Sequence, residues 1–467
     1  MFDAQIYLNR RKSLHKRMGN GLILFAGNEL SSINYKDNTY PFRQDSSFLY
    51  YFGIDVPNIH GLIDLDQGQE TIFGRELSMD DIVWEGNQPT MGEKAQMCGV
   101  AHVLPPTDLQ HVLHKALKQG RKIHYLPPYR PETSISLHQL LNIALDEVAQ
   151  KSSLELIQAV VAQRSIKAAE EVAELHKAGN ISRNMHLAAM KVAKAGIKES
   201  EVAAAVYKEA IAAGGTIAYP IILTVNGQTL HNHYHGNTLQ SGQMVLIDAG
   251  AETSMHYAGD ITRSFPVDAQ FSSRQKEIYQ IVLDTENAAK DALKPGLAFK
   301  DIHLMAAKMI TDGLKSLALM KGDTEEAVQA GAHALFFPHG LGHMMGLDVH
   351  DMENLGEDYV GYNGNIVRNP QFGLKSLRLG RILEKGFVLT VEPGIYFIPE
   401  LIDQWKAADK FKNFINYQAL EPYKNFSGIR IEENFLITDH GAELLGQAIP
   451  KTIHEVENIR VNSLIKQ

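Results

Sequence analysis

The stretch MVLIDAGAETSMHYAGDITRSFPV, residues 244–267, places two acids inside runs that are otherwise apolar or β-branched. Residues 244–252 and 257–267 read as strands, with Asp248 in VLIDAG and Asp260 in AGDITRSF. Two later stretches repeat the pattern. VLTVEPGIYF (388–397) carries Glu392, and GIRIEENFLIT (428–438) carries Glu432 and Glu433. A carboxylate in a buried strand is strongly destabilising unless it is paired or bound to a metal. One such acid is an ordinary salt-bridged or strand-end residue, but a set of such strands in one domain calls for a common cause. Arg263 and Arg430 are the obvious buried cations, too few to neutralise the set. A hard divalent ion neutralises several carboxylates at once.

Working outward, these strands alternate with helices. ILTVNG (222–227) is a further strand, and a helix opens on the capping-box pattern Ser272-x-x-Gln275 and stops near Lys294-Pro295-Gly296. Another helix is expected over 299–319, so the region holds two helix-plus-strand halves, a hint of internal structural duplication. Residues 155–215 are Ala-rich, charged and helical, stopped by Gly214 and Gly215. Before them the texture is different. GLILFAG (21–27), SFLYYFGI (47–54), HGLIDLD (60–66) and ETIFGREL (70–77) read as β-rich runs. Helices are expected over 107–119 and 132–150, with KIHYLPP (122–128) as a strand between them, an α/β alternation. A domain boundary is expected near residue 160, giving domains over 1–160 and 161–467.

Composition removes several classes of function. The 467 residues carry a net charge of −9, which argues against a general nucleic-acid binder. A single cysteine, Cys98, excludes a disulfide framework, a Cys-rich zinc site and an iron–sulfur cluster. No run approaches the length of a membrane span. The basic N-terminal residues Arg10, Arg11, Lys12, Lys16 and Arg17 have no apolar core behind them to form a signal peptide, so a cytoplasmic location is expected. The 20 histidines are the surplus to explain. Three lie in FFPHGLGHMMGLDVHD (336–351): His339, His343 and His350. Gly340, Gly342 and the preceding Pro338 argue for a loop there, not a helical zinc motif. A second group, His231, His233 and His235 in TLHNHYHGN (229–237), would share one face of a strand or lie solvated on a loop, and spacing alone does not single out His231. Carboxylates with one imidazole suit a dinuclear Mn, Co or Zn site that activates water for hydrolysis.

The ordered set DAG (248–250), GDITR (259–263), HGLGH (339–343), LDVHD (347–351), TVEPGIYF (390–397) and GIRIEE (428–433) resembles the proline-specific metallopeptidases of the pita-bread fold, aminopeptidase P and prolidase. The likeness runs through residues 160–455, and FRQDSSFLYYFG (42–53) and the Trp84 region resemble the family's N-terminal domain. The resemblance implies an α/β N-terminal domain of the creatinase/aminopeptidase P type and an α+β pita-bread catalytic domain. It further implies two divalent metal ions, Mn2+ foremost with Co2+ or Zn2+ as alternatives. Asp248 would hold one ion, Asp260 and Glu432 would bridge both, and His343 and Glu392 would complete the other. Glu392 would also accept the proton of the attacking water. His350 and His339 would contact the substrate carbonyl and the tetrahedral intermediate. His231 would bind substrate, Arg430 would anchor substrate or orient the metal shell, and Tyr396 would sit behind it.

The implied reaction is release of the N-terminal residue from small peptides with proline second, an amide that is tertiary and has no N–H. A homodimer or homotetramer is implied too, one subunit's N-terminal domain closing another's site. Segments 356–381, with GLKSLRLGR, and 398–427 are longer than in a minimal bacterial aminopeptidase P and resemble eukaryotic-type prolidases. The alternatives are therefore a dipeptidase gripping the proline carboxylate with Arg430 or a loop cation, and a metal-free binding module of the same fold.

Overall fold

The computed structural model describes residues 1–364 and 366–465, which form two compact units. The first comprises Met1–Arg164 and the returning segment Met352–Tyr359. The second comprises Ser165–Asp351 and Val360–Gln467. No helix among the described residues is long and apolar enough to cross a membrane.

The N-terminal unit is built on a five-stranded sheet in the spatial order His102–Leu104, Gln69–Phe73, His60–Asp64, Leu22–Ala26, Ile123–Tyr125. Its inner pairs are antiparallel and its two edge strands join in parallel. One face buries Leu22, Leu24, Leu62 and Phe73 against Leu109, Leu113 and Leu137 of the helices Pro106–Lys118 and Pro131–Leu141. The second of these helices was expected to run on to residue 150. It stops at Leu141 because Asn142 takes the left-handed conformation, φ 52°, that ends a helix, and a 3-10 turn, Leu145–Glu147, follows.

The second unit pairs helix Ala169–Val192 with Glu199–Ala212, and Ser273–Ala292 with Phe299–Ser316. The capping box at Ser272 forms as expected, its hydroxyl accepting from the Gln275 N–H. Two three-stranded antiparallel sheets accompany the helix pairs. One runs Thr262–Pro266, Met244–Asp248, Ile222–Thr224; the other runs Val388–Val391, Glu433–Ile437, Ala442–Leu444. Helix pair plus antiparallel sheet thus occurs twice, as the duplicated pattern suggested.

The strands carrying the acids depart from expectation in one informative respect. None of 244–252, 257–267, 388–397 and 428–438 is continuous. Val388–Val391 and Gly394–Tyr396 belong to different sheets, as do Gly428–Arg430 and Glu433–Ile437. Pro393 has no N–H to donate to a ladder, and the break falls there. Across it the backbone changes partners: the Glu392 N–H donates to the Leu341 carbonyl (2.8 Å), and the Glu432 N–H to that of Thr262 (3.1 Å). Asp248 ends its strand and Asp260 precedes one. The acids therefore sit at strand ends and interruptions, where a side chain can leave the pleat and turn toward a shared centre.

Candidate metal centre

Three overlapping groups of donor atoms gather in the second unit: Asp248, Asp260 and Glu432; His343, Glu392 and Glu432; and Asp260, His343 and His350. Within each group the donor atoms lie within 4.8 Å of one another. The His343 Nε2 is 3.2 Å from Asp260 and 3.8 Å from Glu392. His343 reaches this point from a loop, as its glycines implied. The reason is close approach: a Cβ on Gly342 would lie 2.0 Å from the Thr390 carbonyl oxygen. The loop runs along strand Val388–Val391, the Thr390 N–H donating to the His343 carbonyl (3.0 Å) and the His343 N–H to the Thr390 hydroxyl (3.1 Å).

Four of the donors are held by a second group. The His343 Nδ1–H donates to the Met344 carbonyl (3.0 Å), which leaves Nε2 facing the acids. Thr262 donates its hydroxyl to Glu432 (2.6 Å), and Arg430 donates to Asp248 (2.5 Å). Tyr219 donates its hydroxyl between Asp248 (2.6 Å) and Asp260 (2.5 Å). Tyr219 was not singled out from sequence, since TIAYP carries no spacing that marks it. The neighbouring Glu433 turns away from the centre, paired with Arg263 (2.6 Å) and Lys451 (2.7 Å).

The electrostatics of the cluster call for a cation. Burial pushes Glu392 up to about 7, against the opposing charges of His343 and Arg430. Glu432 is driven well above the usual carboxylate range by burial and by the charges of Asp260, Glu392 and Asp248. Asp248 is raised by burial, with Arg430 opposing. Burial acts the same way on Asp260, but the hydrogen bond and charge of His343 outweigh it and hold Asp260 low. Burial favours the neutral form of His343, yet Asp260 and Glu392 bring it up to about 9. Carboxylates this close cannot all ionise without added positive charge. The oxygen-rich donor set, its second-sphere partners and this surplus of negative charge all fit divalent metal ions.

Beside the cluster, Arg430 is immobilised by the Thr262 hydroxyl (3.0 Å), the Tyr396 oxygen (2.8 Å) and Asp248. The Tyr396 hydroxyl in turn donates to the His339 Nε2 (2.8 Å), while the His339 Nδ1–H donates to the Gly340 carbonyl (2.7 Å). Burial and the Arg430 charge lower His339 to about 3, so it is neutral. The His350 ring lies 4.0 Å from that of His343, centre to centre. His231 is on a loop and exposed, its titration depressed by burial of part of the ring and sensitive to the charges of Asp248, Arg430 and Arg378. His233 is exposed, and His235 is bonded to the Ile221 carbonyl (3.0 Å), so neither joins the cluster.

Comparison with known proteins matches residues 173–439 to the metallopeptidase family M24 and residues 7–125 to the aminopeptidase P N-terminal domain. The human Xaa-Pro dipeptidase is 32% identical over 470 residues, covering 97% of this chain and 92% of that protein. A probable Xaa-Pro aminopeptidase of Uncinocarpus reesii is 33% identical over 463 residues, covering 94% and 90%. The structure of Escherichia coli aminopeptidase P with the inhibitor Pro-Leu superposes with a TM-score of 0.82 at 28% identity, over 100% of both chains. The architecture is thus an aminopeptidase P-type N-terminal domain joined to a pita-bread catalytic domain, and the chain belongs to metallopeptidase family M24.

Proposed function

We propose that this protein is a Xaa-Pro aminopeptidase, releasing the N-terminal residue from peptides whose second residue is proline. The observation that carries the reading is the convergence of Asp248, Asp260, His343, Glu392 and Glu432 from separate segments beside the fixed Arg430–Tyr396–His339 chain. Asp248 would hold one divalent ion, Asp260 and Glu432 both, and His343 with Glu392 the other, with Mn2+ proposed and Co2+ or Zn2+ tolerated by the same donors. When bound, the ions supply Lewis acidity and an acidified water.

The chain's own groups do the rest. Glu392 takes up the proton of the attacking water and can return it to the proline nitrogen, which has no N–H of its own and must be protonated to leave. His350 faces the substrate carbonyl and donates to the oxyanion that forms from it. His339 can join it only by exchanging its Tyr396 hydrogen bond, since both its ring nitrogens are engaged. His231 and Arg430 orient the peptide, and Tyr396 fixes Arg430.

Solved aminopeptidase P structures match along 99–100% of the chain and support the aminopeptidase reading, while the curated relatives divide between aminopeptidases and dipeptidases. The second reading, an Xaa-Pro dipeptidase, is favoured by Arg378, a half-buried cation in the long 356–381 loop whose charge bears on His231. After Mn2+ loading, Xaa-Pro-Yaa tripeptides are expected to be cleaved at the Xaa-Pro bond. Cleavage of Xaa-Pro dipeptides alone, lost in Arg378→Gln, would establish the dipeptidase instead.

A homodimer or homotetramer belongs to the same proposal. Trp84 (86% exposed), Met79 and Val83 lie on helix Met79–Glu85, which buries no residue of its own, and a second copy would cover it. Light scattering of the purified chain tests this, and a strict monomer would refute it. A cytoplasmic location is supported by a single, buried, unpaired thiol, Cys98.

A further inference from the structure

Lys167 and Asp351 form an ion pair of 2.8 Å with each side chain 1% exposed. Neither residue has a part in the chemistry described above. Such a pair is poor evidence for stability, because the desolvation of two charges offsets their attraction. Its place in the fold explains it better. Asp351 follows His350 directly, and its N–H donates to the Met344 carbonyl (2.9 Å), the same oxygen that accepts from the His343 Nδ1–H. Lys167 is fixed from the other side, its N–H donating to the Gly386 carbonyl (2.8 Å). The loop between Met344 and Asp351 closes tightly over the pair. A Cβ on Gly346 would stand 2.5 Å from the Asp351 Oδ2 and 3.0 Å from the Lys167 Cε. The Gly346 N–H donates to the Asp348 carbonyl (3.0 Å), and the Asp348 N–H approaches the Asp351 Oδ1 (3.4 Å). Immediately beyond, Met352 is held at φ 62°, a left-handed conformation unfavourable for a side chain of its size. His350 is thus carried on a closed turn whose floor is the ion pair.

We propose that Lys167 and Asp351 are positioning residues for His350, holding its imidazole beside His343 at the place where the substrate carbonyl arrives. The inference rests on the proposed peptidase reading, in which His350 meets that carbonyl. Two variants perturb the pair differently. Lys167→Met/Asp351→Asn removes both charges of the pair, whereas Gly346→Ala crowds the pair and keeps both. In the Mn2+-loaded full chain acting on an Xaa-Pro-Yaa tripeptide, each variant is expected to lower kcat by about 10- to 100-fold with KM changed less than about twofold. Placed in a His350→Ala background, neither should lower kcat further, because the route of its effect is already gone.

A second readout needs no activity. With 13C-labelled histidine, the His350 ring signal, assigned by its loss in His350→Ala, should be single in the wild type and shifted or broadened in both variants. Equal kcat losses in both backgrounds, or an unchanged His350 signal with unchanged kcat, would overturn the proposal. Should the double variant not unfold cooperatively, Gly346→Ala decides alone. A wild-type chain that cleaves no Xaa-Pro peptide would refute the peptidase reading, while the ring signal would still decide the positioning.

Discussion

Asp260 touches more of the centre than any other single acid described: Tyr219 and His343 reach its carboxylate, and the side-chain amide of Asn434 bonds its carbonyl. Asp260→Asn keeps the shape and removes the charge that bridging requires. Loss of second-sphere partners alone costs about 10- to 100-fold in metal affinity or activity, so this change should exceed about 100-fold in kcat/KM while the chain stays folded. Metal analysis and tripeptide hydrolysis would check it; unchanged activity would remove Asp260 from the site. The raised titrations give a second expectation. At pH 7 His343, at about 9, carries a proton and Glu392, at about 7, is about half protonated, and ligation must displace these protons. Mn2+ binding should therefore release protons and tighten as pH rises from about 6 to 9. Calorimetry in two buffers of different ionisation enthalpy measures the release directly, and a buffer-independent heat would contradict it.

At the scale of elements, much was legible and the omissions have physical causes. The Ser272 capping box and the Gly-rich loop at His339–His343 are local patterns that form as read. The apolar run SFLYYFGI (47–54), expected as β, is instead the helix Ser46–Phe52, because Asp45 caps its start by accepting from the Phe48 N–H and Gly53, at φ 66°, ends it. Strand breaks are less local. Pro393 in VLTVEPGIYF does signal one, but nothing in GIRIEEN marks the matching break, which exists because Glu432 pairs with Thr262 from a distant strand. For the same reason period-two alternation could not choose between Glu432 and Glu433, and only the family likeness implied Glu432. Tyr219 and Lys167 were invisible because each acquires its role only from partners far along the chain. The glycines of the loop were legible as turn formers, yet their structural reason is contact, which makes Gly342→Ala a sharp test. Its Cβ would fall 2.0 Å from the Thr390 carbonyl oxygen, so the loop must lift from the strand that orients His343. A loss of about 1–3 kcal/mol is expected, with a lower metal-to-protein ratio. Gly92→Ala, with only Thr90 at 3.9 Å from the new Cβ, should lose neither. Denaturant titration with metal analysis of both variants separates crowding from a general intolerance of substitution.

At the scale of the whole molecule, the two units have separate cores, and all the candidate ligands belong to the second. Metal should therefore stabilise one part of the chain selectively. At a free Mn2+ concentration of 100 Kd the gain is about 2.7 kcal/mol, and it should appear in scanning calorimetry as an upward shift of the catalytic unit's transition alone. Its pH dependence has a definite sign. Glu392 is raised from about 4.5 to about 7 in the folded chain, so its contribution is full below about 4.5 and is lost as pH climbs through about 7. Glu286, also raised to about 7 by burial and the charge of Glu433, behaves likewise. Ligation keeps Glu392 deprotonated, so it removes the Glu392 share of this loss and leaves the Glu286 share. Between pH 5 and 8 the EDTA-treated protein should lose stability more steeply than the Mn2+-loaded protein, though both should decline. Parallel declines would mean that metal binds without engaging Glu392, and that this carboxylate does not belong to the metal shell.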